Sequence, residues 1–159
     1  MHAYRAHNGT LQPGDAVPPS TSFFDAMPPQ KKAVEEILAS LSPLTGPKRE
    51  CVVFLFEDET QGRRWAAPER RTLYRVELEK RDILLRADWC WLQIIMKGLA
   101  DGSPQTNDWA RNYWGGRPTN SPVWELLAAS ATVVEEIAIP QVERNRLRLQ
   151  AFGQVDPMG

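Results

Sequence analysis

The run Cys51-Val52-Val53-Phe54-Leu55-Phe56 is continuously apolar and rich in β-branched and aromatic residues. It predicts a central strand buried on both faces, around which the rest of the chain has to build a sheet. Thirteen prolines fall mainly between the periodic segments and mark the breaks. Residues 2–7 form a strand candidate, ended by Asn8-Gly9 and by Pro13-Gly14-Asp15, which is strong turn chemistry. From Gln30 to Leu41, Ala33, Val34, Ile37, Leu38 and Leu41 recur at helical spacing, after Pro28-Pro29 and before Ser42-Pro43 and Gly46-Pro47.

Asp58 with Gln61 three residues on reads as a capping box, opening a helix through Trp65 and Ala67. Thr72 to Glu79 alternates and predicts a strand, with Ile83-Leu84-Leu85 as a short partner reached through Lys80-Arg81-Asp82. Asp88 caps a helix carrying Trp89, Leu92, Ile95 and Leu99. Residues 101–108 read as a loop, followed by Trp109 to Trp114 and Gly115-Gly116. Two last strands, 123–127 and 132–139, are expected to join through a tight Ala-Ser-Ala turn, and 141–159 to form a flexible tail or a short helix. This order is not the regular strand-helix alternation of a doubly wound sheet, so the expected class is α+β in a single domain, 1–159. Neither G-x-G-x-x-G nor G-x-x-x-x-G-K-[ST] occurs, which removes the Rossmann and P-loop readings.

Bulk properties exclude further classes. The 159 residues carry a formal net charge of -1 with both signs interspersed, so the sequence gives no strong electrostatic case for nucleic acid. Cys51 and Cys90 are the only cysteines, and both are expected to be buried thiols. With two histidines, none at ligand spacing, no metal site is expected. There is no signal-peptide pattern and no window near the ~20 apolar residues of a membrane span. The expectation is a cytoplasmic protein, or one delivered by a dedicated machine into a target cell, with no membrane partner.

A few side chains stand out from this frame. Arg5, flanked by Tyr4 and with His7 on the same side of a strand, could grip a phosphate or ribose by forked hydrogen bonds, or be a surface arginine. Glu125 interrupts the apolar Val123-Trp124-Glu125-Leu126-Leu127 and needs either a purpose or an exit to solvent. Trp65, Trp89 and Trp124 sit at apolar periodic positions and are expected in the core. Tyr113 and Trp114, beside a glycine pair, suit either a stacking lid over a flat ring or a hydrophobic plug. Glu135 and Glu136 are expected to be solvated.

Tyr4-Arg5-Ala6 resembles the first-strand signature of mono-ADP-ribosyltransferases of the cholera and pertussis toxin kind. Leu11-Gln12-Pro13-Gly14-Asp15-Ala16-Val17 is similar to the loop after the first strand of small rifamycin-modifying ADP-ribosyltransferases, which carry a histidine where Arg5 falls. The strand at Val53-Phe54-Leu55-Phe56, the helix Asp58 to Ala67, and Leu73-Tyr74-Arg75-Val76, Arg86-Ala87-Asp88 and Tyr113-Trp114 with Glu125 extend the resemblance over most of the chain. It implies a split, mixed or antiparallel sheet with flanking helices. It also implies cleavage of the nicotinamide-ribose bond of NAD, used as substrate, with transfer of ADP-ribose to an unknown acceptor such as a protein. Glu125 would be the catalytic glutamate; Arg5, with Tyr4 and His7, would hold the phosphates or adenine ribose; Phe54 would be the central-strand aromatic; Tyr113 and Trp114 would flank the nicotinamide. Ser20-Thr21-Ser22 comes too soon after Arg5 to be the toxin-type Ser-Thr-Ser strand, and Glu125 lacks a Glu-x-Glu or Gln-x-Glu partner. An ADP-ribosyltransferase-like domain that binds without turnover, and a small immunity or adaptor protein using Trp109 to Gly116 as its patch, are the alternatives.

Overall fold

A computed structural model describes residues 1–20, 24–43, 48–68 and 70–151. In chain order these form β1 (His2–His7), α1 (Pro29–Ser40), a 3-10 turn (Arg49–Cys51), β2 (Val53–Phe56), α2 (Glu59–Ala66) and β3 (Thr72–Glu77). A second 3-10 turn (Lys80–Asp82) leads into β4 (Ile83–Asp88), α3 (Cys90–Asp101), α4 (Thr106–Trp114), β5 (Trp124–Ala128), β6 (Thr132–Ile137) and α5 (Gln141–Ala151). Local chemistry explains the boundaries. Pro29 opens α1, where its missing N–H costs nothing. The Asp58 carboxylate accepts the Thr60 N–H at 2.6 Å and caps α2, in place of the capping box expected with Gln61. Gly102, at φ 69°, ends α3 in the left-handed region that a side chain disfavours.

The six strands make one antiparallel sheet in the order β4-β5-β2-β1-β3-β6, so the fold is α+β with helices flanking an antiparallel sheet. The apolar run supplies β2, an interior strand between β5 and β1, as its composition requires. Pairing sets the faces. Phe56 lies opposite both Tyr4 and Glu125, so these three share one face, and strand alternation turns Arg5 and Leu126 to the other. On the first face α1, α3 and α4 bury Val34, Leu38, Ile95 and Tyr113 against Leu127 and Ala87, while α2 covers Ala6 and Leu73 through Ala66. On the second, Ala3, Leu55, Val76, Leu126 and Val133 pack with Val17 and Leu11 of the segment after β1.

That second face is curled. Three strands separate β5 from β6, about 19 Å in a flat sheet. Yet Ala128 and Thr132 are joined by residues 129–131, a reach of about 14 Å at most. The sheet therefore wraps its helix-free face, and the bridge Ala16↔Thr132 ties the segment after β1 across it. The sheet also parts. β1 pairs with β3 from His2↔Glu77 through His7↔Thr72 but shares only Tyr4↔Phe56 with β2. Beyond that pair the Arg5 guanidinium donates through Nη1 to the Phe54 carbonyl at 3.0 Å, where ladder bonds would otherwise continue.

Several expectations are corrected. Residues 123–127 and 132–139 do not make a hairpin, because β5 pairs with β2 and β4 while β6 pairs with β3. For the same reason β4 is not the partner of β3. Cys51 ends the 3-10 turn and is exposed, whereas Cys90 is buried as expected. Trp65, Trp89 and Trp124 are only half-buried: Trp65 and Trp89 meet edge to face at 4.4 Å, and Trp124 lies 3.7 Å under the Arg86 guanidinium. Residues 106–114 are helical, and 141–151 form a helix anchored by buried Leu147 and by Arg144, which donates to the Arg71 carbonyl at 3.0 Å. Thr21, Ser22, Gly46, Pro47 and 152–159 lie outside the described residues.

Candidate functional site

Glu125 is on an interior strand and only 5% exposed, so solvent does not screen its charge. Its Oε1 accepts the Tyr113 hydroxyl at 2.6 Å and Nη1 of Arg49 at 3.2 Å. Among the described residues its Oε2 has no hydrogen-bond donor. Arg49 Nη1 also contacts the Tyr113 hydroxyl oxygen. The other edge of the Arg49 guanidinium grips Glu35 of α1 in a fork, with Nε to Oε2 at 2.8 Å and Nη2 to Oε1 at 3.1 Å. The guanidinium carbon lies 4.5 Å from the Phe54 ring centre and 5.1 Å from that of Tyr113. The fold thus gathers two carboxylates, a guanidinium and a phenol from α1, the first 3-10 turn, α4 and β5 into one buried network.

The network is electrostatically coupled. Burial pushes the Glu125 carboxyl up, and Arg49 and the Tyr113 hydrogen bond oppose it. Burial, with Glu125 beside it, holds the Tyr113 hydroxyl well above its ordinary range, so it stays a hydrogen-bond donor. Burial works against the Arg49 charge too, and Tyr113, Glu125 and Glu35 more than restore it. The two carboxylates and one guanidinium leave a formal charge of -1 if both acids ionise. A cavity of about 420 Å³ opens beside this network, between α1, the 3-10 turn and Phe24. Glu35, Arg49 and Trp114 reach its wall, while Glu125 does not.

Arg5 makes a second, different environment in the parting of β1 and β2. Beyond the single bond to the Phe54 carbonyl, its Nε is buried and has no partner among the described residues. No carboxylate among the described residues lies within ion-pair distance of it. Burial, reinforced by the neighbouring Arg71 charge, pulls its guanidinium down to about 10. Burial likewise lowers the half-buried His7, with Arg5 and then Arg71 adding to the effect. The parting therefore holds, in Arg5, a positive charge that no carboxylate among the described residues neutralises.

The expected site residues divide into three groups. Glu125, Tyr113 and Phe54 meet around Arg49, and Trp114 stands beside them, its ring 5.3 Å from Tyr113 and its Nε1 donating to the Leu38 carbonyl at 2.9 Å. Arg5 and His7 lie on the opposite face by alternation, linked to this group through the Phe54 carbonyl. Tyr4 packs under α2, where a Cβ on Gly62 would come within 3.1 Å of the Tyr4 Cβ, and it does not join either group. Tyr113 and Trp114 are buried helical residues, so neither is a loop lid. Glu135 and Glu136 are exposed, as expected.

Two members of the network, Arg49 and Glu35, are absent from the sequence reading. Glu35 had a visible signal, a carboxylate adjoining the apolar stripe Val34, Leu38, Leu41 on α1. Arg49, in a short turn after Lys48, had none. Among the described residues, no group of three or more His, Cys, Asp or Glu is placed to hold a metal ion, and no helix is long and apolar enough to cross a membrane. No protein-family model matches the chain, and no characterised protein matches it.

Proposed function

We propose that the protein is an NAD-dependent mono-ADP-ribosyltransferase whose dinucleotide enters the parting of β1 and β2. The carrying observation is Arg5: a guanidinium with a buried, unpartnered Nε, held by one backbone carbonyl and with Arg71 and His7 as charged or chargeable neighbours. A pyrophosphate supplies what that position lacks, namely negative charge and several acceptor oxygens. Arg5, Phe54 and Glu125 lie on the adjacent strands β1, β2 and β5, and since Arg5 and Glu125 face opposite sides of the sheet, this reading has the dinucleotide cross it through the parting. Glu125 then acts through Oε2 on the ribose 2′-hydroxyl, while Tyr113 and Arg49 fix Oε1. Its charge stabilises the oxocarbenium-like ribose as the C1′–N bond breaks and its electron pair leaves with nicotinamide. The acceptor's lone pair closes the new bond to C1′, and the acceptor loses a proton to solvent. Because Arg49 and Tyr113 cover Glu125, this reading requires the 3-10 turn carrying Arg49 to shift when NAD enters.

The closed Arg49–Glu125 pair favours a second reading, an ADP-ribosyltransferase-like domain that binds the dinucleotide without turnover. The adaptor reading at Trp109 to Gly116 is less favoured, since Tyr113 and Trp114 are buried. Calorimetric titration with NAD, paired with measurement of nicotinamide release, separates the first two. The expected result is binding that weakens about 10- to 150-fold in Arg5→Ala, the range of a charge-assisted contact worth about 1.5–3 kcal/mol. Glu125→Gln is expected to keep binding and lose release. Binding without release in the unaltered protein selects the second reading, and no binding at millimolar NAD overturns both.

A further inference from the structure

The arginines are interspersed along the sequence but not in the fold. Residues 59–71 and helix α5 together hold seven arginines against three glutamates, a surplus of four in a chain whose net charge is -1. Helices α2 and α5 enclose a groove of about 530 Å³. Thr60, Arg63 and Arg64 line it from α2, and Glu143, Arg146 and Gln150 from α5. Arg63 is held between Glu59 at 2.9 Å and Glu143 at 3.0 Å, which engages Glu143, the carboxylate of the groove's lining. Arg64 and Arg146 are exposed and, among the described residues, have no carboxylate partner. Arg144 donates to the Ala66 and Arg71 carbonyls, which fixes its position without cancelling its charge.

We propose that the groove between α2 and α5 binds the phosphate backbone of single-stranded nucleic acid. Like charges gathered on one surface repel, and an external polyanion relieves that repulsion while releasing its counterions. Arg70, in the segment after α2, and Arg148, on α5, add charge on the same two stretches of chain, so the surplus suits a string of phosphates better than one. The Thr60 hydroxyl and Gln150 amide add neutral hydrogen-bonding groups beside the arginines. A cleft between two packed helices, with axes about 10 Å apart in such pairs, admits one strand and not a duplex. This inference needs neither NAD nor turnover.

Fluorescence anisotropy with labelled single-stranded DNA and RNA of about 12 nucleotides tests it. Four phosphate contacts at a salt slope of about 0.7 each predict roughly 50-fold weaker binding between 50 and 200 mM salt. Arg64→Glu/Arg146→Glu is expected to lose at least about 10-fold in affinity at 50 mM salt, with an unchanged Tm, because neither side chain holds an intramolecular ion pair. Lys97→Glu/Arg111→Glu, which removes as much charge elsewhere, and Glu125→Gln are expected to bind as the unaltered protein does. Absence of binding at 50 mM salt overturns the proposal. So does equal weakening by the two double variants, equal affinity for duplex, or preference for phosphatidylserine vesicles over the oligonucleotides.

Discussion

Removing Arg49 by Arg49→Met tests the buried network most directly. The substitution keeps most of the aliphatic volume and takes away the fork to Glu35 and the bond to Glu125. Breaking a buried pair by deleting one partner costs about 3–5 kcal/mol, because the remaining charge stays desolvated. In a chain this long that lowers Tm by about 6–20 °C. Glu125→Gln leaves Arg49 its fork to Glu35 and is expected to cost less, about 1–3 kcal/mol. In the double variant the uncompensated Glu125 carboxylate is gone, so the two losses fall short of additivity by about 1–3 kcal/mol. Urea unfolding of all four proteins at pH 7 measures the cycle.

The pH dependence gives a second handle on the same variant. Burial already raises the Glu125 carboxyl, and without Arg49 the rise is larger. A carboxyl raised in the folded state contributes stability that is present below its unfolded value, about 4.3, and lost as pH rises through the folded value. The shortfall of Arg49→Met against the unaltered protein is therefore greatest near pH 7 and shrinks toward pH 4. A loss under about 1 kcal/mol that is additive with Glu125→Gln and flat with pH would refute the network.

Two further outcomes follow from other residues. Asp88 is fully buried and accepts from Cys90 N, Val123 N, Thr119 N and Thr119 Oγ1 at 2.7–3.0 Å, so Asp88→Ala should cost about 3–5 kcal/mol in thermal unfolding, and Asp88→Asn less. A loss below about 1 kcal/mol in Asp88→Ala would contradict those bonds. In an NMR titration His7 should show a pKa below 6.5, leaving it neutral at pH 7 and letting the unfolded chain gain stability relative to the folded one as pH falls through 6.5. Saturating NAD beside Arg5 should raise that value, and an unmoved His7 in a protein that binds NAD would place the phosphates elsewhere.

Much of the architecture was legible because it is local. Alternation gave β3, the apolar run gave β2, turn residues ended β1, and the cap at Asp58 gave the start of α2; Asp88, expected to cap α3, ends β4 instead, and the N-cap position is Trp89. Strand pairing was not legible, since adjacency in sequence suggested hairpins where β4 and β6 lie at opposite edges of the sheet. Glu125 could be singled out as a charge in an apolar strand, but which face it occupied depended on neighbours 69 residues away at Phe56. Arg49 was invisible because its role comes from four elements converging and not from any pattern of its own. The grouping of arginines between α2 and α5 was hidden likewise, since the two helices are separated in sequence by four strands and two further helices.

The strand order also bears on how the chain folds. Among the described residues no ladder joins strands linked by a tight turn: Asp88↔Trp124 is the shortest pairing in sequence, and His2↔Glu77 spans nearly half the chain. Every ladder must therefore close a long loop before any of its bonds form, which places the protein among domains with non-local contacts that fold in milliseconds to seconds. Early structure has to come from the sequence-local contact of α3 with α4, and β1, which precedes the strands it pairs with, has no partner until β2 or β3 exists. During synthesis that strand emerges long before its neighbours, with its apolar side exposed until they arrive.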